Sequence, residues 1–192
     1  DTRYFKSRHT KDERSDDRKK DLNLVGWYVP NNDTQTTILG AEQWEWLQAQ
    51  LSKPAELRII ASSIQVVADE KGMESWGNFP HERQRLYDLI GKCNANGVLL
   101  ISGDVHFTEI SRTDQGPYPL YDFTSSSMTI GIPEWANAVN NYRVSKSAYA
   151  QPTFGLIEID WDSPQPSVSL RAHGETGDVV FEVTVPFHEL RR

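Results

Sequence analysis

The chain has 192 residues, of which 38% are hydrophobic and 24% charged, a composition that supports one domain with a proper core. A formal net charge of −7 argues against the basic face that nucleic-acid binding requires, and no run of about 18 apolar residues exists to span a membrane. With a single cysteine, Cys93, no internal disulfide can form, which leaves the redox compartment open.

Asp1-Thr2-Arg3-Tyr4-Phe5 carries neither an initiator Met nor the pattern of a targeting segment, and it reads as the end of a strand already under way. The expectation is a fragment or a processed chain, so the N-terminus says nothing about compartment. From Lys6 to Lys20 both charge signs are dense and apolar periodicity is absent, which predicts a charged surface excursion. Leu22 to Val29 is predicted as a short strand ending at Pro30. Gly40 opens a helix in which Trp44, Leu47 and Leu51 fall on one stripe, and Pro54 closes it.

Leu57 to Ala61 reads as a buried strand. The segment from Ala68 to Phe79 lacks periodicity, and a loop of that length in a compact domain is more often functional than idle. Trp76 is therefore a candidate to cover a pocket, against the plainer reading of a packed aromatic. Pro80 suits the first position of a second helix, whose buried face is Leu86, Leu89, Ile90 and Cys93 and which stops at Asn94-Ala95-Asn96-Gly97. Arg83 sits near the start of that helix, an unfavourable place for a cation, and is flagged as held for a carboxylate or an anion. Alternating helices and strands predict parallel strands with crossover helices.

Val98-Leu99-Leu100-Ile101 has no polar alternation and reads as the central strand of a covered sheet. It breaks at Ser102-Gly103 and presents Asp104 and His106. Residues two apart on extended backbone share a side, so a carboxylate and an imidazole are predicted to converge past the strand's carboxyl end, where ligands collect in open α/β sheets. An oxygen donor beside a nitrogen donor suits Zn, Fe or Mn, as one edge of a two-metal site. An isolated pair of this kind is equally a buried salt bridge or a strand-end turn. Phe107 to Ser111 is predicted to pair with Leu120 to Thr124, Gly131 to Trp135 is irregular, and the last forty residues alternate as a three-stranded antiparallel meander. His173 and His188 read as surface residues.

Taken in order, Asp1-Thr2-Arg3-Tyr4-Phe5, Thr37-Ile38-Leu39-Gly40-Ala41-Glu42-Gln43-Trp44-Glu45-Trp46-Leu47, Trp76 with Phe79-Pro80-His81-Glu82-Arg83, Ser102-Gly103-Asp104-Val105-His106, and Leu120-Tyr121-Asp122-Phe123-Thr124-Ser125-Ser126-Ser127 resemble the C-terminal half of the PhoD-like (alkaline phosphatase D) family. The resemblance extends over nearly the whole chain. It implies a calcineurin-like metallophosphoesterase fold, α/β, part of a four-layer α/β/β/α sandwich. Residues 1–192 would then form a single domain, the C-terminal portion of a larger catalytic domain.

The same resemblance implies phosphomonoester or phosphodiester hydrolysis by metal-activated water, with divalent or mixed metal ions drawn from Fe, Ca, Zn and Mn. Asp104 and His106 match the family's late metal ligands. The remaining ligands and the leaving-group acid are expected in the missing upstream segment of the same protein. Trp76 and Arg83 are the substrate-binding candidates, the substrate is a small-molecule phosphoester, and a secreted or periplasmic location is compatible with the family. Ile130 departs from the His expected there in many relatives. The competing expectation is a non-catalytic interaction module in which Asp104 and His106 form a structural hydrogen bond.

Overall fold

The computed structural model describes residues 1–192. Asp1 to Phe5 forms a turn and not the expected strand end, because the Asp1 carboxylate accepts hydrogen bonds from the backbone N–H groups of Arg3 (2.7 Å) and Tyr4 (3.2 Å) and curls the chain on itself. The charged stretch that follows holds more regular structure than its composition predicts. β1 (Thr10–Lys11) is followed by α1 (Asp16–Asp21), whose N-cap Ser15 accepts from the Arg18 N–H, with acidic residues in the first turn and basic ones in the last. β1 then pairs antiparallel with β2 (Tyr28–Val29), which is all that forms of the strand expected over Leu22 to Val29.

α2 (Ala41–Leu51) starts at Gly40, whose φ of +74° places it in the left-handed region, and buries Trp44, Leu47 and Leu51 as the spacing requires. β3 (Arg58–Ala61) follows, and after a long packed loop α3 (Pro80–Lys92) begins on proline and buries Leu86, Tyr87 and Ile90. Leu89 and Cys93 are only half buried. The helices are joined through Glu82, whose carboxylate accepts from Thr37 Oγ1 (2.7 Å), the Ile38 N–H (2.8 Å) and Trp44 Nε1 (3.0 Å). Burial pushes that carboxyl up, and the donors together hold it below the usual range.

β4 (Val98–Ser102), β5 (Thr108–Thr113) and β6 (Leu120–Ser125) complete a mixed sheet of order β3-β4-β6-β5. β4 lies between two parallel neighbours, with Ile59 opposite Leu99 and Ile101 opposite Phe123, while β5 and β6 form the antiparallel hairpin. A short α4 (Pro133–Ala136) occupies the stretch expected to be irregular, its proline pre-set for a first turn. β7 (Thr153–Asp160), β8 (Ser167–Gly174) and β9 (Val179–Pro186) form the antiparallel meander as a separate sheet.

The two sheets share one core. Trp44, Leu47, Leu86 and Ile90 from the helices join Val98, Leu100 and Phe123 from the first sheet and Val168, Leu170, Ala172 and Phe181 from the meander in a single cluster of 29 buried residues. Each fully buried Leu, Val or Phe contributes about 1.5–3 kcal/mol, which makes this cluster the main source of stability. The mixed α/β architecture is present, with two helices, the mixed sheet and the meander all contributing to the one core. The outer face of the meander carries Arg171 against Glu158 and Glu182 (3.0 Å to the latter) and Ser169 against Thr184, together with the exposed side chains of Phe154 and Leu156. β3 and β7 are bare edges: Ile59 and Leu156 are exposed there, and a cleft of about 280 Å³ lined by Ala61, Ile101, Phe123, Gly155 and Ile157 lies at that side.

Candidate functional site

Past Ser102 the backbone leaves the strand conformation. Asp104 has φ +77° and His106 has φ +57°, so their convergence does not arise from extended alternation as the sequence predicts. The turn is set by what it buries: Val105 and Phe107 are wholly enclosed in a small cluster with Met73 and Ala150, while Asp104 is exposed and His106 half buried. Two left-handed non-glycine residues cost on the order of 1–3 kcal/mol each, and such strain concentrates at functional sites. The turn is tied down by the Ser126 hydroxyl, which accepts from the His106 N–H (3.3 Å), and by the Ile132 N–H, which donates to the His106 carbonyl (3.0 Å).

Asp104 and His106 share a depression of about 290 Å³ at the carboxyl end of β4. Its charged members are Arg3, Glu74 and Asp104; Arg3 bridges the two carboxylates, donating to Asp104 Oδ1 at 2.9 Å and to Glu74. Aromatic walls come from Trp27, Tyr28 and Trp135, the last with its ring 5.5 Å from the His106 ring. His106 Nδ1 is buried without a hydrogen-bond partner, which leaves a nitrogen donor unclaimed. His9 stacks on Tyr28 at 4.5 Å and lies 3.6 Å from Glu74; burial, aided by the nearby Lys6 cation, pushes it down to about 4, with Glu74 pulling the other way.

A buried polar network underlies this surface. Glu109 on β5, wholly enclosed, accepts from Lys71 Nζ at 2.7 Å, Arg143 Nε at 2.8 Å and Gln65 Nε2 at 2.9 Å. Burial pushes its carboxyl up, and the two cations overcome that and hold it below the ordinary carboxylate range. Asp122 on β6 accepts from the N–H groups of Val66 and Val67 and from Ser102 Oγ, which fixes the loop after β3 to the end of β4. Lys71 also works through its backbone: its carbonyl accepts from the N–H groups of Val25 (3.0 Å) and Gly26 (3.1 Å), and that of Gly72 accepts from Tyr28 (2.9 Å). One residue thus links the strand that follows His106 to the segment that carries Trp27 and Tyr28.

Of the four residues singled out from sequence, the structure brings together Asp104 and His106 and sets the other two apart. Trp76 is packed in the core, edge-on to Trp44, with Nε1 donating to Ser62 Oγ at 3.0 Å. Arg83 has the carboxylate partner envisaged for it, Asp69 at 2.7 Å, and also donates to the Val67 carbonyl; neither residue lines the depression. Arg3, Glu74, Lys71 and Glu109 also belong to the site or its support, and none of them is among the residues that the sequence singles out. Glu109 alone left a visible signal, a carboxylate in the interior of a buried strand.

A carboxylate with an unclaimed imidazole nitrogen fits two positions of a metal's coordination shell, and no cluster of three or more His, Cys, Asp or Glu side chains placed to hold a metal forms in the chain.

Comparison with known proteins gives a consistent result. The family model for PhoD-like phosphatases matches residues 1–169. Alkaline phosphatase D of Bacillus subtilis (strain 168) is 31% identical over 101 residues, which cover 46% of this chain and 17% of that protein. A solved structure of PhoD superposes with a TM-score of 0.58 at 17% identity, covering 96% of this chain and 40% of that one, a likeness of fold. The chain spans less than half the length of either relative.

Proposed function

The chain belongs to the PhoD-like phosphatase family, and from that premise we propose that it carries part of the site at which phosphoesters are hydrolysed. Asp104 and His106 act as metal ligands, and the observation that carries this reading is that His106, whose Nδ1 has no hydrogen-bond partner, lines one depression with the Asp104 carboxylate. Two donors are fewer than the three or more protein ligands that catalytic metals usually take, so the shell is completed by ligands from outside residues 1–192, as is the leaving-group acid. A bound Zn, Fe, Mn or Ca ion would polarise the phosphoryl oxygens, and a Zn ion would lower the pKa of its water from 15.7 to about 7.

The chain's own residues have definable parts in this reading. The Arg3 guanidinium, fixed between Asp104 and Glu74, supplies positive charge and a planar fork of donors to a phosphate arriving in the depression. His106 presents a ring nitrogen, and the backbone bonds at Ser126 and Ile132 hold its ring against Trp135. The left-handed turn keeps Asp104 directed outward while Val105 anchors it from within.

Elemental analysis of the protein with its full chain, together with hydrolysis of a chromogenic phosphoester, tests the proposal. His106→Asn is the informative variant, since Asn tolerates the left-handed backbone but removes the imidazole. Loss of both bound metal and turnover is expected. Full metal content and full activity in that variant would refute the assignment. The ion pair of Arg3 with Asp104 favours the second reading, in which Asp104 and His106 are structural and the chain is an interaction module; stoichiometric metal in the wild type decides against it.

A further inference from the structure

We propose that the depression selects phosphoesters whose organic group carries a planar ring, aryl or nucleoside, by stacking that ring on Trp27. The inference rests on the reading of Asp104 and His106 as the end that receives the phosphate. Trp27 is 58% exposed although it lines the same depression as those two residues. An exposed indole on an unsupported loop would mean little, but this one sits on backbone that is hydrogen-bonded at Trp27 and at both its neighbours. Its carbonyl accepts from the Asp12 N–H at 2.8 Å, and the residues on either side, Gly26 and Tyr28, donate to the carbonyls of Lys71 and Gly72.

The approach of these two segments is so close that a Cβ on Gly26 would stand 1.9 Å from the Gly72 oxygen, so only glycine fits. Lys71 is in turn locked by its buried pair with Glu109. The platform is therefore pre-organised, and a ring that stacks on it pays little for ordering the protein.

The phosphate end is placed relative to this platform by the same framework. Trp135 lies against His106, and its helix is tied to the His106 carbonyl through Ile132. Arg3 brings the cation for the phosphate. A volume of about 290 Å³ lies at the small end of ligand pockets and suits one ring system with a phosphate, not an extended chain of groups.

The test uses the full-chain protein and two phosphonate analogues that resist hydrolysis, those of adenosine 5′-monophosphate and of glycerol 3-phosphate, with binding read by calorimetry. The adenosine analogue is expected to bind about tenfold more tightly, the order of what one stacked ring is worth. That ratio should collapse towards one in Trp27→Ala and return in Trp27→Phe, which separates stacking from a folding defect. Equal affinity for the two analogues in the wild type, or an unchanged ratio in Trp27→Ala, would overturn the proposal. Hydrolysis of the corresponding esters is measured separately. A ring preference without turnover sustains the stacking site while the phosphatase reading falls, and turnover without a ring preference does the reverse.

Discussion

Replacing Lys71 by Met tests the framework beneath the site. The Lys71 side chain is 3% exposed, with its ammonium 2.7 Å from a Glu109 carboxylate that is wholly buried. Removing one partner of a buried ion pair leaves an uncompensated charge and costs about 3–5 kcal/mol. Arg143 Nε remains 2.8 Å from the other Glu109 oxygen, so the carboxylate keeps one cation and Lys71→Met falls at the lower end, about 3 kcal/mol. Glu109→Gln deprives both Lys71 and Arg143 of their carboxylate and belongs nearer to about 5 kcal/mol. The double variant removes the stranded ammonium as well, so its loss should be smaller than the sum of the two by at least about 1 kcal/mol. Urea unfolding of the three variants reads these values directly. A Lys71→Met protein within about 0.5 kcal/mol of wild type, or strict additivity in the double variant, would refute the reasoning.

Three further outcomes are expected. Folding holds the His9 imidazole neutral by lowering its pKa from 6.5 to about 4, whereas the unfolded chain protonates at the ordinary value, so the contribution of this site is fully present above pH 6.5 and is lost as pH falls towards 4. Acid unfolding of His9→Phe should show that loss diminished, and an identical pH profile would count against it. Gly26→Ala should destabilise by more than the usual cost of a surface change, because the clash is with backbone, and should weaken adenosine phosphonate binding more than glycerol phosphonate binding; calorimetry and urea unfolding check both. The 192-residue chain by itself should hydrolyse no chromogenic phosphoester, with turnover appearing when further chain is supplied in cis or in trans; robust turnover by residues 1–192 would mean that the site is complete within them.

Much of the scaffold was legible because burial writes itself into periodicity. Trp44, Leu47 and Leu51 mark α2, the unbroken Val98–Ile101 run marks a strand with parallel neighbours on both sides, and alternation marks the meander. β1 and α1 were not legible, since two and six residues held by a Ser15 cap and by pairing with a distant segment leave no apolar pattern. Asp104 and His106 were legible as a pair, but their backbone was not, because the turn is dictated by Val105 and Phe107 finding Met73 and Ala150. The Arg3–Asp104 pair joins residues 101 positions apart, and no local rule in one sequence forecasts such a contact. Trp76 left two readings open, a pocket cover or a packed aromatic, because an aperiodic loop carries no period to tell them apart; its side chain is buried in the core.

The bare edges of β3 and β7 bear on how this protein behaves at the bench. Each presents unpaired backbone donors and acceptors next to exposed side chains such as Ile59 and Leu156, and both border the same cleft. Such rims gain hydrogen bonds and bury apolar surface by meeting one another on two molecules, a reaction whose extent depends on how many molecules are present. The unfolding midpoint of residues 1–192 should therefore climb with protein concentration, and every free energy assigned above to a single side chain has to be read at dilutions where it no longer does.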